Sequence, residues 1–283
     1  MTVTQPSAAA ALRRARVGDR EIVLAFVVGV AVAISWRSVV AWSHGDFSAV
    51  ALRDHSGVGA GELLALGVLA YLGLGIGRDD LLTRSDLAVM AACSLAFAFP
   101  MRMAAAVPLI VAGLKLLFHK NARISSIGQV LLALVGYEWL GPLLFHLVSP
   151  TLLEIETTVV QAALAPLNGG FARDGLAISA PTWSGVVVEE GCSAFHNISL
   201  STLIWISLLK LQTLTMRSVY VLIALAMAAA TILLNTLRIV LMAQSPELYD
   251  YWHNGAGVPI VTFVMLAVAL VLCLGGMRLA AAR

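Results

Sequence analysis

The sequence predicts an all-α polytopic membrane protein with about eight transmembrane helices and a small extracytoplasmic cap. Of its 283 residues, 60% are hydrophobic and only 12% are charged, whereas soluble domains average about 45–50% and about 25%. The apolar residues form many long runs along nearly the whole chain. The excess therefore does not come from one anchor attached to a soluble domain, and the composition excludes an ordinary soluble globule.

Charge and cysteine content exclude further classes of protein. The formal net charge is only +2, and no basic run lies beside interleaved aromatic residues, so we expect no nucleic-acid partner. The three cysteines, Cys93, Cys192 and Cys273, are odd in number and show no C-x-x-C spacing. This argues against a disulfide framework and against a thiol-rich metal site. We expect no cofactor and no bound metal.

Apolar runs give candidate spans near residues 22–42, 62–77, 86–100, 103–118, 126–147, 193–209, 218–242 and 260–277. The region 86–118 is ambiguous, because it is long for one crossing and contains Pro100, Arg102 and Pro108. Two crossings there place most lysines and arginines on the side of the basic N-terminus, as the positive-inside rule requires.

We therefore predict a basic cytoplasmic tail over 1–21, a single membrane domain over 22–283, and both termini in the cytoplasm. The first span resembles a signal peptide in its basic flank, but its removal would unbalance the set of helices, so we expect it to be retained.

The one substantial loop, residues 149–191, falls on the outer side of this topology. It begins with an amphipathic stretch over 152–164, and turn signals follow near 168–170 and 174–175. Short apolar segments at 176–178 and 186–188 predict two strands that would pair as a β-hairpin. We expect this loop to form the small cap.

Polar residues gather at the outer start of span six, in the segment EEGCSAFHN. Cys192 follows two glutamates, of which Glu190 is the nearer, and His196 comes four residues later. A spacing of four puts His196 one turn further along the same face of a continuous helix. Glu190 and His196 are therefore candidate supporting residues for any chemistry at Cys192.

Two further segments reach the same outer interface, NTLRI near the end of span seven and YDYWHNGAG before span eight. Asn235 and Arg238 share one face of span seven. An arginine inside an apolar helix costs about 2.5 kcal/mol or more and usually faces the protein interior, so Arg238 indicates a functional site. His253 is expected in the short loop that enters span eight.

These residues match the needs of acyl transfer by a thiolate. Such chemistry requires a nucleophile, a proton carrier with a pKa near neutral, and positive charge where an oxyanion develops. Cys192, His253 and Arg238 could supply them in that order, with Asn235 in support.

Other interpretations of these residues stay open. Cys192 could be a small buried apolar residue like Cys93 and Cys273. Arg238 could snorkel to the headgroups, or with His253 bind an anionic substrate or lipid in a transporter or scaffold. A metal site is the competing use of the first outer loop, but the spacing of its acidic and histidine residues fits no standard site. Those residues are His44, Asp46, Asp54 and His55.

At these same segments the sequence resembles the exosortase/archaeosortase family of multi-spanning membrane cysteine transpeptidases. The family pattern has a cysteine in a stretch like EACSGxRSL, then an arginine in NxxR, then a histidine before the last helix. Cys192, Arg238 and His253 take these places, in order, within a motif block over 183–257. The upstream helices agree only in number and apolar character.

Four positions depart from that pattern. Gly191 replaces a frequent alanine and Ala194 a frequent glycine, which are exchanges of one small residue for another. His196 and Asn197 stand where the family often has arginine and serine. The exchange at His196 leaves open whether it shares the role of the base or changes substrate choice.

The resemblance implies an enzyme at the outer face of the cytoplasmic membrane. Its partners would be membrane lipids and exported proteins that carry a C-terminal motif, a hydrophobic helix and a basic tail. Cys192 would form a thioester at the motif, His253 would move protons, and Arg238 would stabilise the oxyanion or orient the substrate. The acceptor that resolves the thioester is not implied by the sequence. A degenerate member that binds sorting signals without cutting them is a further alternative.

Overall fold

The computed structural model describes residues 19–35, 59–76, 82–97, 102–167, 170–212 and 214–281. Most of them are helical. We number the described helices α1 Asp19–Ile34, α2 Ala60–Leu74, α3 Arg84–Ala96, α4 Arg102–Leu117, α5 Ala122–Val135, α6 Gly141–Leu164, α7 Phe195–Leu211, α8 Ser218–Met242, α9 Pro246–His253 and α10 Gly257–Ala281. The four residues weighed as metal ligands in the first outer loop, His44, Asp46, Asp54 and His55, lie outside the described residues, as does most of the basic tail over 1–21.

The chain divides into two compact units, Met1–Leu132 and Ala133–Arg283. In the first unit, helices α1 to α4 pack against one another, and the rings of Phe26 and Phe97 lie 5.8 Å apart. All the candidate site residues that the sequence indicates lie in the second unit.

The ambiguous region 86–118 contains two helices, α3 and α4. Helix α3 begins with a capping box, in which Thr83 and Asp86 each accept a hydrogen bond from the other's backbone N–H. The two helices contact each other, and the Cys93 thiol donates to the carbonyl of Pro108 at 3.1 Å. The expectation of two helices here is confirmed, while their both crossing the membrane remains a prediction.

Three stretches of the described residues are long and apolar enough to cross a membrane, namely Ala122–Leu167, Ser218–Met242 and Gly257–Ala280. Shorter apolar helices cover Ala60–Leu74, Ala105–Leu117 and Phe195–Leu211. A helix of 15 residues extends only about 22 Å, less than the roughly 30 Å of the hydrocarbon core. The structure thus supports several membrane helices, and the number eight stays a prediction.

The outer surfaces of the long helices suit contact with lipid. Large apolar side chains on α8 and α10 are exposed, where water would be an unfavourable neighbour. Examples are Leu222, Leu225, Leu233, Phe263, Val271 and Leu279.

Helix α6 corrects the predicted limits of the outer loop, 149–191. The helical stretch that starts at Ala122 passes through a π-turn at Gly136–Leu140 and continues to Leu167, so the first part of that loop is helical. Leu153, Val160 and Leu164 repeat at helical spacing and are buried in the core of the second unit. A stretch of 46 residues would extend about 69 Å if straight, which is more than one bilayer crossing.

A small antiparallel sheet follows α6, with strand order β1 Ala172–Asp174, β2 Ala177–Ala180 and β3 Trp183–Val187. The predicted hairpin is confirmed in β2 and β3, in which Ile178 pairs with Val186, and β1 is an additional strand. Ile178 and Val186 are buried against α6 and α8, together with Cys192. The sheet therefore covers the segment that carries the cysteine.

Gly185 permits this sheet to form. Its φ is +82°, and a Cβ built there would lie 1.8 Å from the carbonyl oxygen of Ile178. Gly175 has a similar φ of +57° but has open space around it. A side chain at Gly175 would therefore meet backbone strain alone, whereas a side chain at Gly185 would meet both backbone strain and a steric clash.

We expect Gly185→Ala to destabilise the second unit by more than about 3 kcal/mol, because it adds a clash with backbone to the strain of about 1–3 kcal/mol. Gly175→Ala should cost only the strain. Thermal unfolding of both variants in detergent tests this, and equal loss in the two variants would contradict it.

Candidate active site

Cys192 lies in a 3₁₀ turn, Glu190–Cys192, between the sheet and helix α7. Its side chain is only 4% exposed, and its backbone N–H donates to the carbonyl of Glu189 at 2.9 Å. The sequence placed Cys192 and His196 on one continuous helix, but α7 begins at Phe195. The helical argument for a shared face therefore fails, because the backbone at Ser193 is extended.

Asn235 holds this turn in place. It lies on α8, is 2% exposed, and its Nδ2 donates to the carbonyl oxygen of Cys192 at 2.7 Å. A buried carbonyl without a donor would carry the full cost of its lost hydration, so this bond stabilises the position of the cysteine. The sequence suggested a supporting role for Asn235, and the structure gives it a definite contact.

Arg238 lies one turn after Asn235 on the same helix. Its Nε donates to the carbonyl of Trp252 at 3.0 Å. Among the residues the structure describes, no carboxylate lies within ion-pair distance of this guanidinium. Arg238 and Trp252 also line a small apolar cavity of about 150 Å³ between α8 and α10. The positive charge is thus positioned by a backbone contact and is not neutralised.

His253 is the last residue of helix α9. The expectation that it lies in a loop is therefore wrong. The helix forms because Ser245 caps it, accepting from the N–H of Leu248 at 3.2 Å, with Pro246 at its first position. The His253 ring stacks on Tyr249, with the ring centres 4.8 Å apart and an angle of 12° between the planes. Its Nδ1 is 3.0 Å from the Asn254 side-chain oxygen.

No hydrogen bond joins His253 to Cys192 within the described part of the chain. Tyr249 links the two, because it stacks on His253 and packs against the buried cluster that contains Cys192. Burial and the charge of Cys192 raise the pKa of the Tyr249 phenol. That phenol therefore remains protonated at neutral pH.

Burial is the largest influence on the Cys192 thiol and raises its pKa. The backbone hydrogen bond with Glu189 and the charge of Arg238 lower the pKa, whereas the charges of Glu189 and Glu156 raise it. The net direction is upward, so the resting cysteine is a protonated thiol at neutral pH. Reaction there requires a group that accepts its proton.

The remaining candidate residues, His196 and Glu190, each contact other side chains. His196 is exposed, and its Nε2 is 3.3 Å from the hydroxyl of Tyr137. Glu190 is half exposed and accepts from Ser149 at 2.8 Å, with His146 Nδ1 3.3 Å from the same oxygen. These contacts place His196 beside Tyr137 and Glu190 beside Ser149 and His146.

Sequence reasoning missed Glu156 and Tyr249. Glu156 Oε1 accepts from the hydroxyl of Ser193 at 2.8 Å and from the N–H of Ala194 at 3.1 Å, directly after the cysteine. The one feature of the sequence that could have indicated Glu156 is its position as a carboxyl group within the amphipathic stretch 152–164. Tyr249 stands four residues before His253, a helical spacing that would have indicated contact had helix α9 been expected.

The second unit therefore contains apolar helices, a buried cysteine and an arginine whose positive charge acts on that cysteine. The family model for transmembrane exosortases matches residues 19–274, most of the chain. The chain belongs to the transmembrane exosortase family, and membership implies processing of sorting signals in general. No curated protein and no solved structure matches the chain.

Asn235→Ala should lower stability by about 1–3 kcal/mol, because it leaves the buried carbonyl of Cys192 without its donor. Gln244→Ala is the matched control, since Gln244 is an exposed amide at the end of the same helix. Thermal unfolding in detergent checks both variants. An Asn235→Ala variant as stable as the control would show that this hydrogen bond does not hold the turn.

Arg238→Ala should raise the pKa of Cys192 further, because it removes a positive charge that favours the thiolate. Since the thiolate is the reactive form, the midpoint of alkylation against pH should move to higher pH. Arg238→Lys, which keeps the charge, should move it less. A midpoint that is the same in the alanine variant and the wild type would contradict this electrostatic contact.

Proposed function

We propose that this protein is a membrane cysteine transpeptidase or protease that cleaves the C-terminal sorting signal of exported proteins at Cys192. The observation that carries the proposal is the setting of that thiol. It sits in a turn held by Asn235, within the electrostatic influence of Arg238, and is linked through Tyr249 to His253. Nucleophile, cation and proton carrier are the groups that acyl transfer needs.

The reaction begins with removal of the thiol proton. His253 accepts it, and the Cys192 sulfur attacks a backbone carbonyl of the sorting motif. Arg238 stabilises the negative charge that develops on the carbonyl oxygen, because its guanidinium is not neutralised by a carboxylate in the described structure. The C–N bond then breaks, and His253 returns the proton to the departing amine of the tail.

The resulting thioester is resolved by a second nucleophile. An acceptor amine gives transfer of the protein, whereas water gives hydrolysis. In either case the nucleophile loses one proton to His253, the C–S bond breaks, and His253 returns the proton to the Cys192 sulfur, which restores the thiol. Asn235 keeps the Cys192 turn in place through both halves of the reaction. Exchange of the tail for an acceptor thus needs no cofactor.

A substrate anchored by its own helix suits this site. Arg238 lies one turn before the end of the apolar helix α8, His253 ends the short polar helix α9, and α8 and α10 expose apolar surface. A client helix in the same bilayer would approach along the membrane plane and lose little further orientational freedom on docking. We propose that the site faces the extracytoplasmic side, with both termini in the cytoplasm, because this agrees with the distribution of basic residues.

Replacement of Cys192 by alanine or serine should abolish cleavage of a client protein that carries a hydrophobic C-terminal tail. Cys93→Ala and Cys273→Ala are matched controls, because both thiols are buried within helices of apolar sequence. The measurement is the loss of the tail from a co-expressed client in membranes. Wild-type cleavage by Cys192→Ala would exclude Cys192 as the nucleophile, and a client that keeps its tail with the wild-type protein would favour the transporter or scaffold.

The length of the client that co-purifies with the protein, measured in the same samples, distinguishes an enzyme from a protein that binds sorting signals without cutting them. Client that co-purifies with the wild-type protein at full length, and is never shortened, would favour binding without cleavage. Shortened client with wild type alone, and full-length client retained by Cys192→Ala, is the result expected of an enzyme.

A further inference from the structure

Glu156 occupies an unusual place for a carboxylate. It lies on α6, far in sequence from the cysteine, yet its Oε1 accepts from both the hydroxyl of Ser193 and the N–H of Ala194. Ser193 Oγ in turn accepts from the N–H of Phe195, the first residue of α7, at 3.2 Å. Glu156 thereby joins α6 to the two residues that connect Cys192 with helix α7.

The hydrogen bonds alone do not account for a charged group at this position. The second carboxylate oxygen, Oε2, is buried and has no hydrogen-bond partner among the described residues. A buried charge that is incompletely paired costs more than a neutral amide would. A glutamine at position 156 could accept both bonds through its Oε1, so the charge itself needs a reason.

The charge acts on the thiol. The ionisable groups whose charges interact with Cys192 are Glu189 from its own turn, Glu156 from α6, Arg238 from α8 and Tyr249 from α9. The sheet contributes the apolar side chains of Ile178 and Val186 to the buried cluster that contains Cys192. Glu156 and Arg238 thus approach from different helices and have opposite effects on ionisation of the sulfur.

We propose that Glu156 is a positioning residue for the nucleophile: its carboxylate fixes the Cys192–Phe195 segment and places a negative charge on the segment that carries the thiol. A negative charge there disfavours the thiolate, which is the form that alkylation and oxidation need. The consequence for catalysis rests on the proposed function, but the contact and its effect on the thiol do not.

The test uses the full-length protein in which Cys93 and Cys273 are alanine, so that Cys192 is the single thiol. Its rate of alkylation by iodoacetamide is measured across pH in detergent, beside thermal unfolding. Glu156→Gln keeps the acceptor and removes the charge, so the midpoint should move to lower pH by about half a unit or more. Alkylation at neutral pH should be at least about threefold faster.

Two further variants separate charge from structure. Glu154→Gln is the matched control, because Glu154 is an exposed carboxylate on the same helix, 3.9 Å from Arg173, and should leave the midpoint unchanged. Glu156→Asp keeps a charge but shortens the reach to Ser193, so it should lower the unfolding temperature while moving the midpoint less than Glu156→Gln does.

An unchanged or higher midpoint in Glu156→Gln would overturn the proposal and leave Glu156 as a structural cap of α7. A Glu156→Gln protein that does not fold would also overturn it, because the amide retains the acceptor that fixes the segment. If Glu156→Asp moves the alkylation midpoint as far as Glu156→Gln does, the change in midpoint comes from the altered geometry and not from the lost charge. None of these results depends on client cleavage, so failure here is distinct from failure of the proposed enzyme.

Discussion

The hydrogen bond from the Asn235 amide to the carbonyl of Cys192 is the contact on which the candidate site depends. It joins a long apolar helix to a single 3₁₀ turn that lies outside the longer helices and the sheet. Because Arg238 lies three residues later on the same helix, the element that fixes the backbone of the cysteine also delivers the positive charge. Position and electrostatics are therefore set by one rigid element.

The site balances two opposed demands on the thiol. Burial, together with Glu156 and Glu189, disfavours the thiolate, while Arg238 and a backbone hydrogen bond favour it. Such a thiol is stable at rest and becomes a nucleophile only when a base removes its proton. In the proposed mechanism that base is His253, which stacks on Tyr249, and a substrate that covers the site would also exclude competing water.

Sequence reasoning succeeded where one physical rule dominates. The span predicted at 218–242 coincides with helix α8, because a long apolar run permits little else. The pair of strands was predicted because alternating apolar residues and turn signals are local properties. Counting crossings and the distribution of basic residues predict that Cys192 and Arg238 reach the same membrane face, and that topology stays a prediction.

The remaining features depend on contacts between residues distant in sequence. Helix α6 continues to Leu164 because one of its faces is buried against the sheet, which the sequence of the helix does not state. The 3₁₀ turn at Cys192 is held by Asn235, 43 residues away. Glu156 belongs to the site through bonds to Ser193 and Ala194 across 37 and 38 residues, so no local motif could indicate it.

The measurement that tests the central claim most directly is capture of the covalent intermediate. Membranes that contain the protein and a client with a hydrophobic C-terminal tail are quenched in acid, and the adduct is located by mass spectrometry. The account predicts the client, shortened by its tail, attached at Cys192 through a bond that neutral hydroxylamine cleaves. Client shortened at the same rate with no hydroxylamine-sensitive adduct, or with an adduct on another residue, would contradict it.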